Sequence, residues 1–112
     1  MARLIIEALA EDTIASPNNR EQLYVVASVT ATSGTPITGL SAANFNIQAV
    51  IVAPFGAQVQ FGPLFIAPHP GVYGLGLVPV SNYVWKQGVY LFYVVVNRGT
   101  DQGQTLLQVM LD

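Results

Sequence analysis

Cysteine is absent from this chain of 112 residues, and only 9% of its residues are charged. Without cysteine the chain can form no disulfide bond, thiolate metal site, cysteine nucleophile or thiol redox motif. A chain of this length buries roughly two-thirds of its unfolded surface, so it can build a hydrophobic core without cross-links. The hydrophobic fraction of 52% can supply that core. We therefore expect a single domain spanning residues 1–112.

Positive charge is scarce and scattered. The net charge is −2 at pH 7, and the four basic residues lie far apart in the sequence, at Arg3, Arg20, Lys86 and Arg98. Proteins that bind nucleic acid cluster their cations on one face or along one helix. We therefore expect no nucleic-acid partner.

No hydrophobic run is long enough to cross a membrane as a helix. The longest, residues 89–96, has eight residues, whereas a spanning helix needs about 20. The first ten residues imitate a signal peptide only loosely, because Glu7 interrupts the apolar stretch and Glu11 and Asp12 follow it. We expect no membrane insertion and no signal peptide. This predicts cytoplasmic synthesis and leaves assembly into a virion or outside the cell open.

Turn residues recur at regular intervals along the chain. Clusters of Gly, Pro, Asn and Ser occur at residues 16–19, 33–36, 53–56, 68–71, 81–82 and 97–99. Gly allows positive φ, Pro fixes φ, and Asn and Ser bond to nearby backbone, so each cluster predicts a turn. Seven β-branched and aromatic segments lie between them, at about 3–9, 22–32, 45–52, 57–66, 71–78, 88–97 and 104–111. This spacing predicts an all-β sandwich of two antiparallel sheets and about seven strands.

Alternation of side chains indicates which face of each segment is buried. Residues 22–32 alternate apolar and more polar positions from Leu23 onward, and 71–78 alternate large residues with Gly74 and Gly76. Uninterrupted alternation in 45–52 would place Phe45, Ile47, Ala49 and Ile51 on one face, and Asn46, Gln48, Val50 and Val52 on the other. Residues 89–96 differ, because both of their faces are apolar.

Four short motifs occur between about residue 20 and the end of the chain. Residues 34–40 read Gly-Thr-Pro-Ile-Thr-Gly-Leu, with Asn-Phe at 44–45; residues 71–73 read Gly-Val-Tyr, 85–90 Trp-Lys-Gln-Gly-Val-Tyr, and 103–105 Gly-Gln-Thr. In this order they resemble the B–C linker and the starts of strands E, F and G in bacterial immunoglobulin-like domains. The resemblance implies an immunoglobulin-like sandwich, with a transthyretin-like or jelly-roll arrangement as the alternative.

The functions implied by this resemblance are broad. Such domains act mostly as adhesive, spacer or carbohydrate-associated modules, and the fold alone assigns no function. The chain lacks the B–F disulfide and the strand-C tryptophan of antibody-type domains. Antibody-like recognition is therefore not implied.

The same resemblance suggests which way residues 89–96 point. Gly88 would allow a tight corner, and the Tyr90 hydroxyl would reach back to the backbone, as in a tyrosine corner. If Tyr90 points inward, Phe92 does so too, and the residues between them point outward. The alternatives are the opposite parity, a different sheet for this strand, or a long loop covering the outer side.

With Tyr90 inward, the outer face of the sheet formed by strands C, F and G would be apolar, with glutamine at its margins. Such a composition is typical of the centre of a protein interface. We predict a homo-oligomer or larger assembly, such as a self-assembling phage or appendage subunit, with Tyr93 as the anchor. The predicted interface residues are Val50, Val52, Leu91, Tyr93, Val95, Leu106, Gln108 and Met110.

A second hypothesis is a monomeric accessory module that binds carbohydrate or protein. It would use the aromatic residues Tyr83, Tyr73 and Phe55, which we assign to loops in this hypothesis, because aromatic rings stack on sugars and anchor interfaces. Trp85 lies close to Tyr83 in the sequence but is expected in the core.

Few groups could carry catalysis. His69, the only histidine, lies between two prolines in a predicted loop, and no acid or nucleophile pattern accompanies it. Carboxylates could in principle meet at one end of the sandwich and bind Ca²⁺, but solvated hairpin tips explain them better; they are Glu11, Asp12, Glu21, Asp101 and Asp112. We expect no enzymatic activity, no cofactor and no metal.

Overall fold

The computed structural model describes residues 3–11, 22–52, 59–80 and 84–111. Within these residues it forms seven strands and one short 3₁₀ turn at Ala42–Asn44. All seven predicted segments form strands, and their ends differ from the prediction by three residues or fewer. The strands are β1 (Leu4–Glu11), β2 (Leu23–Ala31), β3 (Phe45–Val52), β4 (Val59–His69), β5 (Val72–Pro79), β6 (Gly88–Arg98) and β7 (Asp101–Leu111).

The strands form two antiparallel sheets. One sheet has four strands in the order β1-β2-β5-β4, and the other has three in the order β3-β6-β7. Each neighbouring pair is antiparallel. The predicted all-β, two-sheet architecture is therefore confirmed. Among the described residues, no helix is long and apolar enough to cross a membrane.

The core lies between the sheets and takes every second residue of the strands. In β2 every second side chain from Leu23 to Val29 is buried, as the alternation predicts. Burying one large aliphatic or aromatic side chain contributes about 1.5–3 kcal/mol, so the inward faces dominate stability. The hydrophobic core residues on β5, β6 and β7 are Tyr73, Leu75, Leu77, Tyr90, Phe92, Val94, Val96, Leu107, Val109 and Leu111.

Tyr73 anchors the linker that crosses from β2 to β3. Its hydroxyl donates to the Ile37 carbonyl oxygen at 2.6 Å and accepts from the Leu40 N–H at 3.3 Å. Its buried ring packs against Phe45 and Phe65, with centroids 5.4 Å and 5.9 Å away. These contacts fix where the linker delivers the chain to β3.

Tyr90 anchors the corner that leads into β6. Its hydroxyl accepts from the Lys86 N–H at 2.7 Å and donates to the Lys86 carbonyl at 3.0 Å. Gly88 lies inside the corner at φ 143°, where a side chain would be strained. The Trp85 ring is buried and packs edge-on against Tyr90 at 5.4 Å. The predicted hydroxyl-to-backbone corner and the core position of Trp85 are both confirmed.

The two lateral sides of the sandwich differ. On one side β1 runs beside β7, and Arg3 forms a parallel bridge with Gln102. A Cβ atom on Gly103 would lie only 2.5 Å from the Leu4 carbonyl oxygen, so this close approach requires glycine. On the other side β3 and β4 make few contacts with each other. The sandwich is therefore closed more tightly at β1 and β7 than at β3 and β4.

The predicted uninterrupted alternation of β3 is wrong. Its register with β6 shifts between Ala49, which pairs with Phe92, and Ile51, which pairs with Leu91. The extra residue between them forms a bulge, which reverses the parity of the residues that follow. Val52 consequently pairs with Tyr90, a core residue, and not with an outward residue of β6.

Candidate interaction surface

The outward side of the three-stranded sheet carries apolar side chains along β6 and β7. The residues between the buried positions of β6 point away from the core, as do the even-numbered residues of β7. We call the following set the apolar face: Val89, Leu91, Tyr93, Val95, Leu106, Gln108 and Met110.

Its orientation is fixed by the core residues that alternate with it. Tyr90 and Phe92 are both 0% exposed. Because successive side chains of a strand point to opposite faces, Leu91 and Tyr93 must then point outward. The predicted parity of β6 is confirmed, and the opposite parity is excluded.

Tyr93 lies at the centre of the apolar face. It pairs with Leu106 on β7 and with Gln48 on β3. One step away on the same face, Leu91 pairs with Gln108. Directly opposed side chains in antiparallel strands lie about 4.5–5.5 Å apart at Cβ, so these residues form one contiguous surface.

The apolar face is accessible at its margins. Val89, Leu106 and Met110 are 39%, 56% and 58% exposed. Leu91, Tyr93 and Val95, on the central strand, are half-buried between their neighbours. The predicted interface omits Val89, although the same alternation that selects Leu91 places Val89 outward. Its exposure adds it to the surface.

Charge is confined to one end of this sheet. No described outward side chain of β6 from Val89 to Val95 is charged. The residues of β3 and β7 that pair with these positions are uncharged as well. An ion pair joins Arg98 Nη2 to Asp101 Oδ2 at 3.4 Å, in the hairpin between β6 and β7. The polar residues at the margin are Asn46, Gln104 and Gln108. This arrangement combines an apolar centre with an uncharged polar margin.

For two of the predicted interface residues, the structure does not describe the side chains. The side chains of Val50 and Val52 lie outside the described residues. The bulge in β3 separates them in register from the row they were expected to join. Their part in the interface stays a prediction.

The outward side of the four-stranded sheet is covered differently. Two glycines of β5, Gly74 and Gly76, leave its centre without side chains of its own, and both are buried. Tyr24 lies across Gly74, and Gln22 lies across Gly76, so that a Cβ on either glycine would collide with them. This sheet also carries Glu7 among its outward residues. Its bare backbone is therefore covered from within the chain.

His69 does not sit in a catalytic arrangement among the described residues. It is exposed at the end of β4, beside a shallow groove of about 310 Å³. The groove is lined by Thr38, Gly39, Ala67, Pro68, Pro70, Gly71 and Tyr73 as well as His69, and none of these is a carboxylate. No group of three His, Asp or Glu residues that could hold a metal occurs in the described part of the chain. Of the five acidic residues considered for Ca²⁺, only the Asp101 side chain is described, and it pairs with Arg98.

The aromatic residues of the accessory-module hypothesis do not form a described surface. Tyr73 lies in β5 with 1% of its surface exposed, because its ring and hydroxyl are both used inside the fold. Its assignment as an accessible loop aromatic is therefore wrong. Tyr83 and Phe55 lie outside the described residues.

Comparisons with protein-family models, with curated proteins and with solved structures found no match.

Proposed function

We propose that this protein is a non-catalytic structural subunit that associates with copies of itself through the apolar face. The observation that carries the proposal is the contiguous, uncharged surface centred on Tyr93. The largest apolar patch on a protein surface is often functional, and an apolar patch rimmed by polar residues is typical of a site of association. A central aromatic with an apolar surround and a polar margin is the composition expected of an interface centre.

An immunoglobulin-like arrangement is the second part of the proposal. It is supported by the order β1-β2-β5-β4 in one sheet and β3-β6-β7 in the other, which matches the seven-strand constant-type sandwich. The Tyr90 corner at the start of β6 supports it as well. Domains of this architecture serve many roles, so the assignment of function depends on the surface and not on the fold.

The test is the solution mass of the protein measured by light scattering over a hundredfold range of concentration. We expect a mass that rises with concentration for the natural sequence. Leu91→Lys places a charge in the centre of the apolar face, and we expect it to shift the midpoint of association at least tenfold toward higher concentration. Ser28→Lys, on the outward side of the other sheet, is the matched control and should associate as the natural protein does. A monomeric mass for the natural protein at every concentration would overturn the proposal.

A further inference from the structure

The four edge strands of the two sheets are unequally protected. Exposed edges invite pairing with other chains, and proteins guard them with proline, charge, bulges or covering segments. β1 and β7 flank each other, and β4 contains Pro63 and Pro68 and two register shifts. β3 contains neither proline nor a charged residue, and no described strand pairs with it on the side away from β6.

The free backbone groups of β3 can be identified from its first residue. The N–H of Phe45 donates to the Ala42 carbonyl of the preceding 3₁₀ turn and is therefore not directed at β6. In an antiparallel ladder the N–H and C=O of one residue point to the same side, and successive residues alternate. Asn46 and Gln48 thus bond to β6, while Ile47 and Ala49 direct their backbone groups to the side on which no described strand pairs. The bulge after Ala49 ends this free ladder.

The apolar face of one copy is small for a stable interface. With strands about 4.8 Å apart and a rise of about 3.3 Å per residue, three strands of about eight residues cover roughly 400 Å². A standard protein interface takes roughly 800 Å² from each partner. Face-to-face packing of single copies would therefore be weak. Joining two copies side by side into one continuous sheet would double the area offered.

We infer that β3 pairs antiparallel with β3 of a second copy about a twofold axis at Gln48, joining the two three-stranded sheets into one of six strands. Ile47 of each copy would pair with Ala49 of the other, and their free N–H and C=O groups would bond across the axis. This register leaves the N–H of Phe45 in its existing bond. A twofold axis normal to the sheet keeps both apolar faces on the same side. The inference rests on the proposed function, since the doubled face is what two such dimers would use to form a tetramer.

The first test uses charges at the axis, because residue 48 would lie opposite its own copy. Gln48→Lys and Gln48→Glu each place like charges together, and each should raise the concentration needed for association at least tenfold. Mixing the two variants in equal amounts should restore association to the level of the natural protein, as followed by light scattering. Gln60→Lys and Gln60→Glu, on the outward side of the four-stranded sheet, form the matched control pair and should associate as the natural protein does, both alone and mixed.

The second test removes a free-edge donor. Ala49→Pro deletes an N–H that points away from β6, a position at which an edge strand tolerates proline. We expect a folded protein by circular dichroism that no longer forms dimers, whereas Leu91→Lys should stop at the dimer. If Ala49→Pro fails to fold, the mixing test decides alone. Normal assembly of both Gln48 variants, or no recovery on mixing, would overturn the edge pairing. If Leu91→Lys still weakens assembly in that case, the proposed function stands without it.

Discussion

Two tyrosines at comparable positions show that the outward sides of the two sheets are covered differently. Tyr24 lies on β2, an inner strand of the four-stranded sheet, and Tyr93 lies on β6, the central strand of the three-stranded sheet. Both point outward and both are half-buried. Tyr24 lies over Gly74 and covers backbone of its own chain, whereas Tyr93 stands beside apolar neighbours such as Leu106, which is 56% exposed.

The contrast separates residues that stabilise the fold from residues available for association. On the four-stranded sheet, Gln22 and Tyr24 lie over the glycines of β5 and cover the centre of the outward surface from within one chain. The exposed apolar side chains Ile5, Leu9 and Ile66 lie on its edge strands, β1 and β4. On the three-stranded sheet, Leu106 and Met110 are more than half exposed and extend the surface around Tyr93. We therefore expect substitutions on the first surface to change stability and substitutions on the second to change assembly.

The largest effect on stability should come from placing a polar side chain on the inward, buried side of β6. Phe92→Ser replaces a fully buried aromatic with a small polar residue, and we expect the free energy of unfolding to fall by about 3–5 kcal/mol. Urea unfolding followed by tryptophan fluorescence measures this change. If Phe92→Ser has the same free energy of unfolding as the natural protein, then the other side of β6 faces the core.

The next effect concerns the hydroxyl of Tyr90. Tyr90→Phe removes both bonds to the Lys86 backbone and should cost about 1–3 kcal/mol of stability. Tyr73→Phe, which removes the hydroxyl that bonds Ile37 and Leu40, is a useful comparison for the other buried tyrosine. A cost below the error of urea unfolding would contradict an anchoring role for the corner.

The same hydroxyl predicts a dependence of stability on alkaline pH. Burial raises the pKa of Tyr90 above its ordinary 10.0, more than the bond to the Lys86 backbone lowers it. The folded protein therefore holds this proton more tightly than the unfolded chain does. The stabilisation is complete below about pH 10 and is lost as the pH rises through the folded pKa. Urea unfolding from pH 8 to 11 should show a steeper decline for the natural protein than for Tyr90→Phe, and equal slopes would contradict this.

A smaller effect is expected from uncovering the four-stranded sheet. Tyr24→Ala exposes backbone at Gly74 and removes contacts of a half-buried ring, so we expect a loss of about 1–2 kcal/mol. Association should be unchanged, because Tyr24 lies on the opposite side of the sandwich from the apolar face. Unfolding and light scattering on one preparation measure both. A change in mass without a change in stability would reverse the roles given to the two tyrosines.

The sequence predicted the strands and the faces of β2 and β6, because turn residues and period-two alternation are local signals. The resemblance of residues 85–90 to the strand-F motif of immunoglobulin-like domains also implied the Tyr90 corner and the buried Trp85, and the structure shows both. The sequence could not predict the bulge in β3, since residues 45–52 carry no glycine, proline or other signal at the insertion. Tyr73 was misassigned for a related reason: its partners, Ile37 and Leu40, are more than thirty residues away and become neighbours only after the sheets pack.

The central claim is that the apolar face is a self-association surface independent of the fold. Light scattering of Tyr93→Asp beside the natural protein, over a hundredfold range of concentration, tests it most directly. Truncating an interface anchor typically costs about 2 kcal/mol or more, which corresponds to at least a tenfold loss of affinity. We predict that Tyr93→Asp shifts association by at least this factor while the variant still unfolds cooperatively in urea and loses no more stability than Tyr24→Ala, about 1–2 kcal/mol. Unchanged association, or unfolding of the variant, would contradict the claim.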